Sequence, residues 1–194
     1  MTPEQLHRIM PYASAANCAR FSGHLVAAMD EFGIDTALRR AYFLAQIAHE
    51  SASLATTSEY DTGGAYEGRR DLGNDQPGDG VKYKGHGLIQ TTGKANHFRV
   101  ADYFGVDRAA VVEWLKSPEG AARSAGLFWR DNNCNVSADA DNIRANTRIV
   151  NGGYNGLSER VLRLGEAKSA IIALGLWSMP DFSDVQSGSS STAS

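Results

Sequence analysis

Carboxylates are the side chains in this 194-residue chain whose spacing best suits catalysis. Glu50 ends the alanine-rich stretch AQIAHE at 45–50, where apolar neighbours would desolvate a carboxyl and raise its pKa. That is what a proton donor at neutral pH requires. Glu59 and Glu67 follow in a glycine-rich stretch, interleaved with Tyr60 and Tyr66, whose rings can stack on sugar faces. One protonated acid, one ionised base and flat aromatic surfaces are the parts that hydrolysis of a glycosidic bond uses. On residues alone the plainer alternative stays open, because surface glutamates are usually just solvated.

Other chemistries find less support. His49-Glu50 begins like a zinc-protease helix motif, but position 53, where the second histidine belongs, is Ser53. His7, His24, His86 and His97 show no metal-ligand spacing, and Asp71, Asp75 and Asp79 lack the alternation and terminal glutamate of a calcium loop. No metal and no cofactor are expected. The segment Gly85-His86-Gly87-Leu88-Ile89-Gln90 lacks the third glycine of a dinucleotide fingerprint, and Gly93-Lys94-Ala95 lacks the hydroxyl residue of a phosphate loop. There is no Gly-x-Ser-x-Gly elbow, and neither cysteine has a local histidine.

The elements that must position these groups are mostly helices. Thr2-Pro3-Glu4-Gln5 reads as a capped helix start and Pro11 as its end. Phe21, Leu25, Ala28, Met29 and Phe32 fall at helical spacing before Gly33. Asp35 or Thr36 caps a third helix with a small-residue stripe of Ala37, Ala41, Leu44, Ala45, Ala48 and Ala52; it is expected to run to Leu54 with His49 and Glu50 on its exposed side. From 58 to 93 glycine, Asp, Asn and Tyr replace helical periodicity, which predicts a functional loop region with room for a small hairpin around 81–92. Helical pattern resumes over 94–104, 108–116, 118–132, 140–150 and 158–174. A single domain over 1–182 and a Ser-rich disordered tail at 183–194 are expected.

Composition narrows the partners. Lys+Arg 19 against Asp+Glu 22 gives 19 − 22 = −3, so no basic field drives binding to nucleic acid or acidic lipid. Cys18 and Cys134 are the only cysteines, which favours two buried free thiols over a single long-range bridge and excludes a disulfide scaffold. No apolar run approaches a membrane span, so no membrane insertion is expected, and the N-terminus lacks a signal-peptide core.

The strings AQIAHES at 45–51, AYEGRRDLGN at 65–74, KYKGHGLIQTTGKANH at 82–97 and IVNGGYNGLSER at 149–160, in that order, resemble glycoside hydrolase family 19. This chitinase-like family includes phage endolysins and related bacterial lysozymes. The resemblance implies a mainly α-helical, bilobed, lysozyme-like fold with a substrate cleft and a cofactor-free inverting mechanism. Glu50 resembles the general acid and Glu59 the second catalytic glutamate of the phage-type branch. Plant-type relatives have a longer insertion between the two glutamates, which keeps Glu67 as the alternative base; a salt bridge to Arg69 or Arg70 is its structural alternative. Thr92 matches the hydroxyl that helps hold the attacking water, and Gln90, Asn96 and Asn151 match polar substrate-binding residues. Arg160 matches the arginine that pairs with the catalytic carboxylates. His86 stands where the family usually has arginine, so a cleft-facing His86 would add a titration near neutrality.

The resulting expectation is an endolysin-type enzyme acting as a monomer on peptidoglycan glycan strands. It would be held in the host bacterial cytoplasm until a holin-like pore or a secretion system gives it access to the wall. A chitinase and a non-catalytic wall-binding relative are the alternatives.

Overall fold

A computed structural model describes residues 1–176. The expected tail at 183–194, and the last residues of the expected domain, lie outside the described residues.

The start is built by side-chain caps. Helix α1 (Pro3–Ile9) opens on a capping box in which Thr2 and Gln5 satisfy each other's backbone N–H groups, and α2 (Ala15–Glu31) opens on Ser14. Thr36 caps α3 (Ala37–Glu50), which stops four residues earlier than the sequence predicts. Ala52, Ser53 and Leu54 take positive φ values of 48°, 58° and 65°, a left-handed turn that no helix can continue through. The Ser51 hydroxyl holds that turn, donating to the Ile47 carbonyl at 2.6 Å and accepting the Leu54 N–H at 2.9 Å. Leu54 is thereby buried, Ala52 points to solvent instead of extending the small-residue stripe, and Glu50 is left at the helix end.

The region 58–93 is loop-rich as expected, but it is not a hairpin. It contains one-turn helices at Gly64–Tyr66 and Arg70–Leu72 and the short helix α4 (Asp79–Lys82). Among the described residues, β pairing is limited to isolated bridges of His86 with Ser58 and with Thr91.

The remaining helices are α5 (Lys94–Phe104), α6 (Val111–Lys116), α7 (Pro118–Asp131), α8 (Cys134–Asp139), α9 (Ile143–Asn151) and α10 (Leu157–Ala173). Helix α8 was not legible in the sequence, because a six-residue helix carries too little periodicity. Among the described residues the architecture is all-helical, with α3 packed along α10 and α2 along α7. One buried apolar cluster runs from Leu6 to Ile171, and Phe43 meets Trp129 edge to face at 5.3 Å within it. Both cysteines are buried and unbridged; burial pushes the Cys134 thiol up to about 12, so it packs as a small apolar group.

Candidate active site

Helix α3 delivers Glu50 through a polar seam along one of its faces. Tyr42, Gln46 and Glu50 recur every four residues, which places them on the same side of the helix. The Tyr42 hydroxyl donates to Asp141 at 2.7 Å. Gln46 is fully buried, and its amide N–H donates to Asn146 Oδ1 at 2.9 Å and approaches the Thr147 hydroxyl at 3.5 Å. Asn146 in turn donates to the Ser137 hydroxyl at 2.8 Å.

Arg160 from α10 closes this seam. Its guanidinium is fully buried and donates from Nη1 to Gln46 Oε1, from Nη2 to Glu50 Oε1, and from Nε to the Asn155 carbonyl at 3.3 Å. A planar fork with three fixed acceptors cannot swing away, so it fixes Glu50 as well. The apolar surroundings expected for Glu50 are therefore replaced by a charged partner. Glu50 Oε2 has no hydrogen-bond partner among the described residues, and the side chain stays 17% exposed. Beside it, His49 Nδ1 lies 3.0 Å from Glu159 Oε2. The His49 ring packs on Gly156, where a Cβ would fall 2.3 Å from the imidazole and φ is +71°. Glycine is required there on both counts.

Glu59 is held by the loop region. Its Oε1 accepts the Tyr66 hydroxyl at 3.0 Å, its Oε2 accepts the Gly85 N–H at 3.0 Å, and its own N–H donates to the Gly85 carbonyl at 2.8 Å. Burial, and then the Glu59 carboxylate beside it, push the Tyr66 phenol up, so it remains a donor. Tyr66 thus orients Glu59 with its hydroxyl, while Tyr60 is 80% exposed and free to stack. At Gly85 a Cβ would sit 2.8 Å from Gln90 Oε1 and 3.2 Å from Glu59 Oε2, which places the carboxylate and that amide around one point.

Glu67 is held by backbone N–H groups. Its two oxygens accept the N–H groups of Gly78 at 3.2 Å and Val81 at 3.3 Å, bracing the start of α4. The salt bridge to Arg69 or Arg70 that was its structural alternative does not form among the described residues; Arg69 pairs with Asp71.

A recess of about 340 Å³ lies between the loop region and helices α5, α7 and α9. Gln90, Thr92 and Asn96 line it, whereas Glu50 and Glu59 do not. The Thr92 hydroxyl donates to the Gln90 carbonyl at 2.9 Å, which leaves its lone pairs to accept. Gln90 takes φ +56°, and Asn96 donates to the Thr92 carbonyl at 2.8 Å. Asn151 is exposed at the end of α9, with Oδ1 accepting the Asn155 N–H at 3.3 Å. These contacts leave each amide with unused donors or acceptors for a polar ligand.

His86 does not face a cleft. It is 2% exposed, and its Nδ1 lies 3.0 Å from Nε2 of the equally buried His97, whose own Nδ1 is 2.8 Å from the Gly93 carbonyl. Only one tautomeric arrangement serves both contacts: His97 donates to Gly93 and accepts from His86. Burial pushes both imidazoles down to about 4. Among the described residues no cluster of His, Cys, Asp and Glu could hold a metal ion, and no helix is long and apolar enough to cross a membrane.

Gln46 and Asn146 are site residues that the sequence reading missed. The four-residue interval between Gln46 and Glu50 was the available signal, since a buried glutamine on the face that carries Glu50 needs a partner.

No protein-family model matches the chain. A Haemophilus influenzae protein described as glycosyl hydrolase family 19 domain-containing is 35% identical over 105 residues, covering 49% of this chain and 46% of that protein. The chain thus matches about half the length of this curated relative. Among solved structures, chitinase C from Streptomyces griseus HUT6037 superposes with a TM-score of 0.68 at 18% identity, over 93% of this chain and 78% of that one. The class IV chitinase of family 19 from Zea mays gives 0.67 at 20% identity, over 87% and 90%. A bacterial family 19 chitinase gives 0.64 at 18% identity, over 88% and 94%.

Proposed function

The chain is chitinase-like, with the lysozyme-like helical fold of glycoside hydrolase family 19, and from that premise we propose that it is an endolysin-type hydrolase. It cleaves the β-1,4-linked N-acetylmuramic acid/N-acetylglucosamine backbone of peptidoglycan by an inverting two-carboxylate route. The observation that carries the two-carboxylate chemistry is the unequal holding of two carboxylates: Glu50 is tied through one oxygen to a buried arginine, which leaves Oε2 open, while Glu59 is tied through both oxygens to neutral donors.

Glu50 Oε2 carries the proton to the leaving glycosidic oxygen, and Arg160 stabilises the carboxylate that remains. Glu59 removes a proton from the attacking water on the opposite face of the sugar. The Thr92 hydroxyl accepts a hydrogen bond from that water. Tyr66 and the Gly85 N–H keep the Glu59 oxygens aimed during the transfer. Gln90, Asn96 and Asn151 supply amides for acetamido and hydroxyl groups. The product reaches the wall through a holin-like pore or a secretion system and acts as a monomer.

A second reading, hydrolysis of chitin, is favoured by the solved structures of similar fold, which are named chitinases. Turbidity loss of purified peptidoglycan, run beside soluble chitin oligomers with wild type and Glu50→Gln, separates the readings. The proposal expects wall clearance that falls about 100-fold or more in the variant, and mass spectrometry of the new reducing end names the bond. Chitin turnover without wall clearance would assign the protein as a chitinase. Binding without turnover of either polymer would make it a non-catalytic wall-binding module.

A further inference from the structure

Outside the carboxylate site, α9 presents a face that no catalytic role uses. A hollow of about 560 Å³ is lined by Asn142, Arg144, Ala145, Arg148, Ile149 and Tyr154. Through Asn142, Ala145 and Ile149 it continues into a more apolar hollow of about 530 Å³, and through Asn132 that one meets the recess holding Gln90, Thr92 and Asn96. Among the described residues no carboxylate lines any part of this path. The acids at its edge are already taken, Asp139 by Arg39 and Asp141 by Lys168 and Tyr42.

The cations on the path are differently placed. Arg144 lies 4.1 Å above the Tyr154 ring, which orients its guanidinium without neutralising it. The Arg148 side chain has no partner among the described residues. In a chain of net charge −3, two uncompensated guanidinium groups four residues apart on one helix face make a local site for anions. Guanidinium forks bind carboxylates in a bidentate manner, and chitin offers none.

We propose that this α9 groove docks the carboxylate-bearing peptide branches of peptidoglycan, so that the chain recognises a substituted glycan strand and not a bare amino-sugar polymer. The inference rests on the peptidoglycan reading above and assigns it a specificity site. The glycan would run through the recess at Gln90, Thr92 and Asn96 while a neighbouring peptide branch lies along Ile149 towards Arg144, Arg148 and Tyr154.

Fluorescence anisotropy tests this with a labelled, uncross-linked muropeptide fragment and the same glycan stripped of its peptides, at low and high salt. The Arg144→Gln/Arg148→Gln variant alters only exposed side chains, and an unchanged melting temperature verifies its fold. The groove predicts about 10-fold weaker binding of the peptide-bearing fragment by the variant. Binding of the stripped glycan should not change, and Arg144→Lys/Arg148→Lys should restore part of the affinity. Equal losses for both fragments, no loss for either, or equally strong competition by double-stranded DNA would overturn the proposal. Arginine-dependent capture of the fragment without wall cleavage would defeat the hydrolase reading and leave the groove standing. Wall cleavage with unaltered binding by the variant would defeat the groove alone.

Discussion

Glu59 and Glu67 show how one residue type is held in two ways by its surroundings. Both stand in the glycine-rich region, and sequence spacing leaves either free to be the base. Backbone N–H groups of Gly78 and Val81 occupy Glu67, whereas Glu59 meets a phenol and the amide of a glycine whose missing side chain leaves room for Gln90. Glu59→Gln should therefore lower turnover by about 100-fold or more, further than the loss of one bond from Tyr66 or the Gly85 N–H explains. Glu67→Gln should cost stability through two weakened backbone bonds of about 1 kcal/mol each while its turnover stays near wild type. Initial rates and thermal melts on the same preparations decide between them; loss of turnover in folded Glu67→Gln with retention in Glu59→Gln would reverse the assignment.

At the scale of elements, the helices were legible because caps and periodicity are local, while their ends and mutual contacts were not. Thr2 and Thr36 cap helices where the sequence places caps, and Ser14 and Ser117 do the same at α2 and α7. The stop at Glu50 was missed because it depends on three consecutive left-handed residues, none of them glycine, held by the Ser51 hydroxyl. That strain of about 1–3 kcal/mol per residue falls where it ends the helix at Glu50, the proposed acid.

The seam between α3, α9 and α10 makes its own prediction. Gln46→Leu leaves Arg160 Nη1 and Asn146 Oδ1 without their partner in a dry interface, at a cost of about 1–3 kcal/mol each. Turnover should fall further than the stability loss explains, because Arg160 then holds Glu50 less firmly. Chemical denaturation with initial rates measures both, and a variant of unchanged stability would show that the seam is hydrated.

The His86–His97 pair predicts a pH dependence. Both imidazoles titrate near 6.5 in the unfolded chain and about 4 in the folded one, so between those values the unfolded state binds more protons. Their contribution is fully present above pH 6.5 and is lost as pH falls towards 4. Lys84 and Lys116 oppose protonation of His86, while Glu113 favours it. Melting temperature should fall through that window, and the His86→Gln/His97→Gln variant should flatten the slope whatever its absolute stability. An equally steep slope in the variant would place the titration elsewhere. The sequence showed a histidine at 86 but not its burial, since its partner stands eleven residues away on α5.

For the whole molecule, the ordered strings around Glu50, Glu67, Gln90 and Asn151 made a family resemblance legible that composition alone could not, and the helical fold agrees with it. The network joining Gln46, Asn146 and Arg160 was not legible, because it joins side chains 100 or more positions apart. The path along α9 was hidden for a related reason: Arg144 and Arg148 look like any solvated charges until the acids around them are seen to be engaged elsewhere.

The account stands on an acid at Glu50 and a base at Glu59 acting on opposite faces of one sugar, which inverts the anomeric carbon. Proton NMR of the first reducing ends released from peptidoglycan glycan, recorded before mutarotation equilibrates them, reads this directly. The α anomer should appear first with wild type and vanish with Glu50→Gln; a β anomer appearing first, or an unaltered product from Glu50→Gln, would contradict the account.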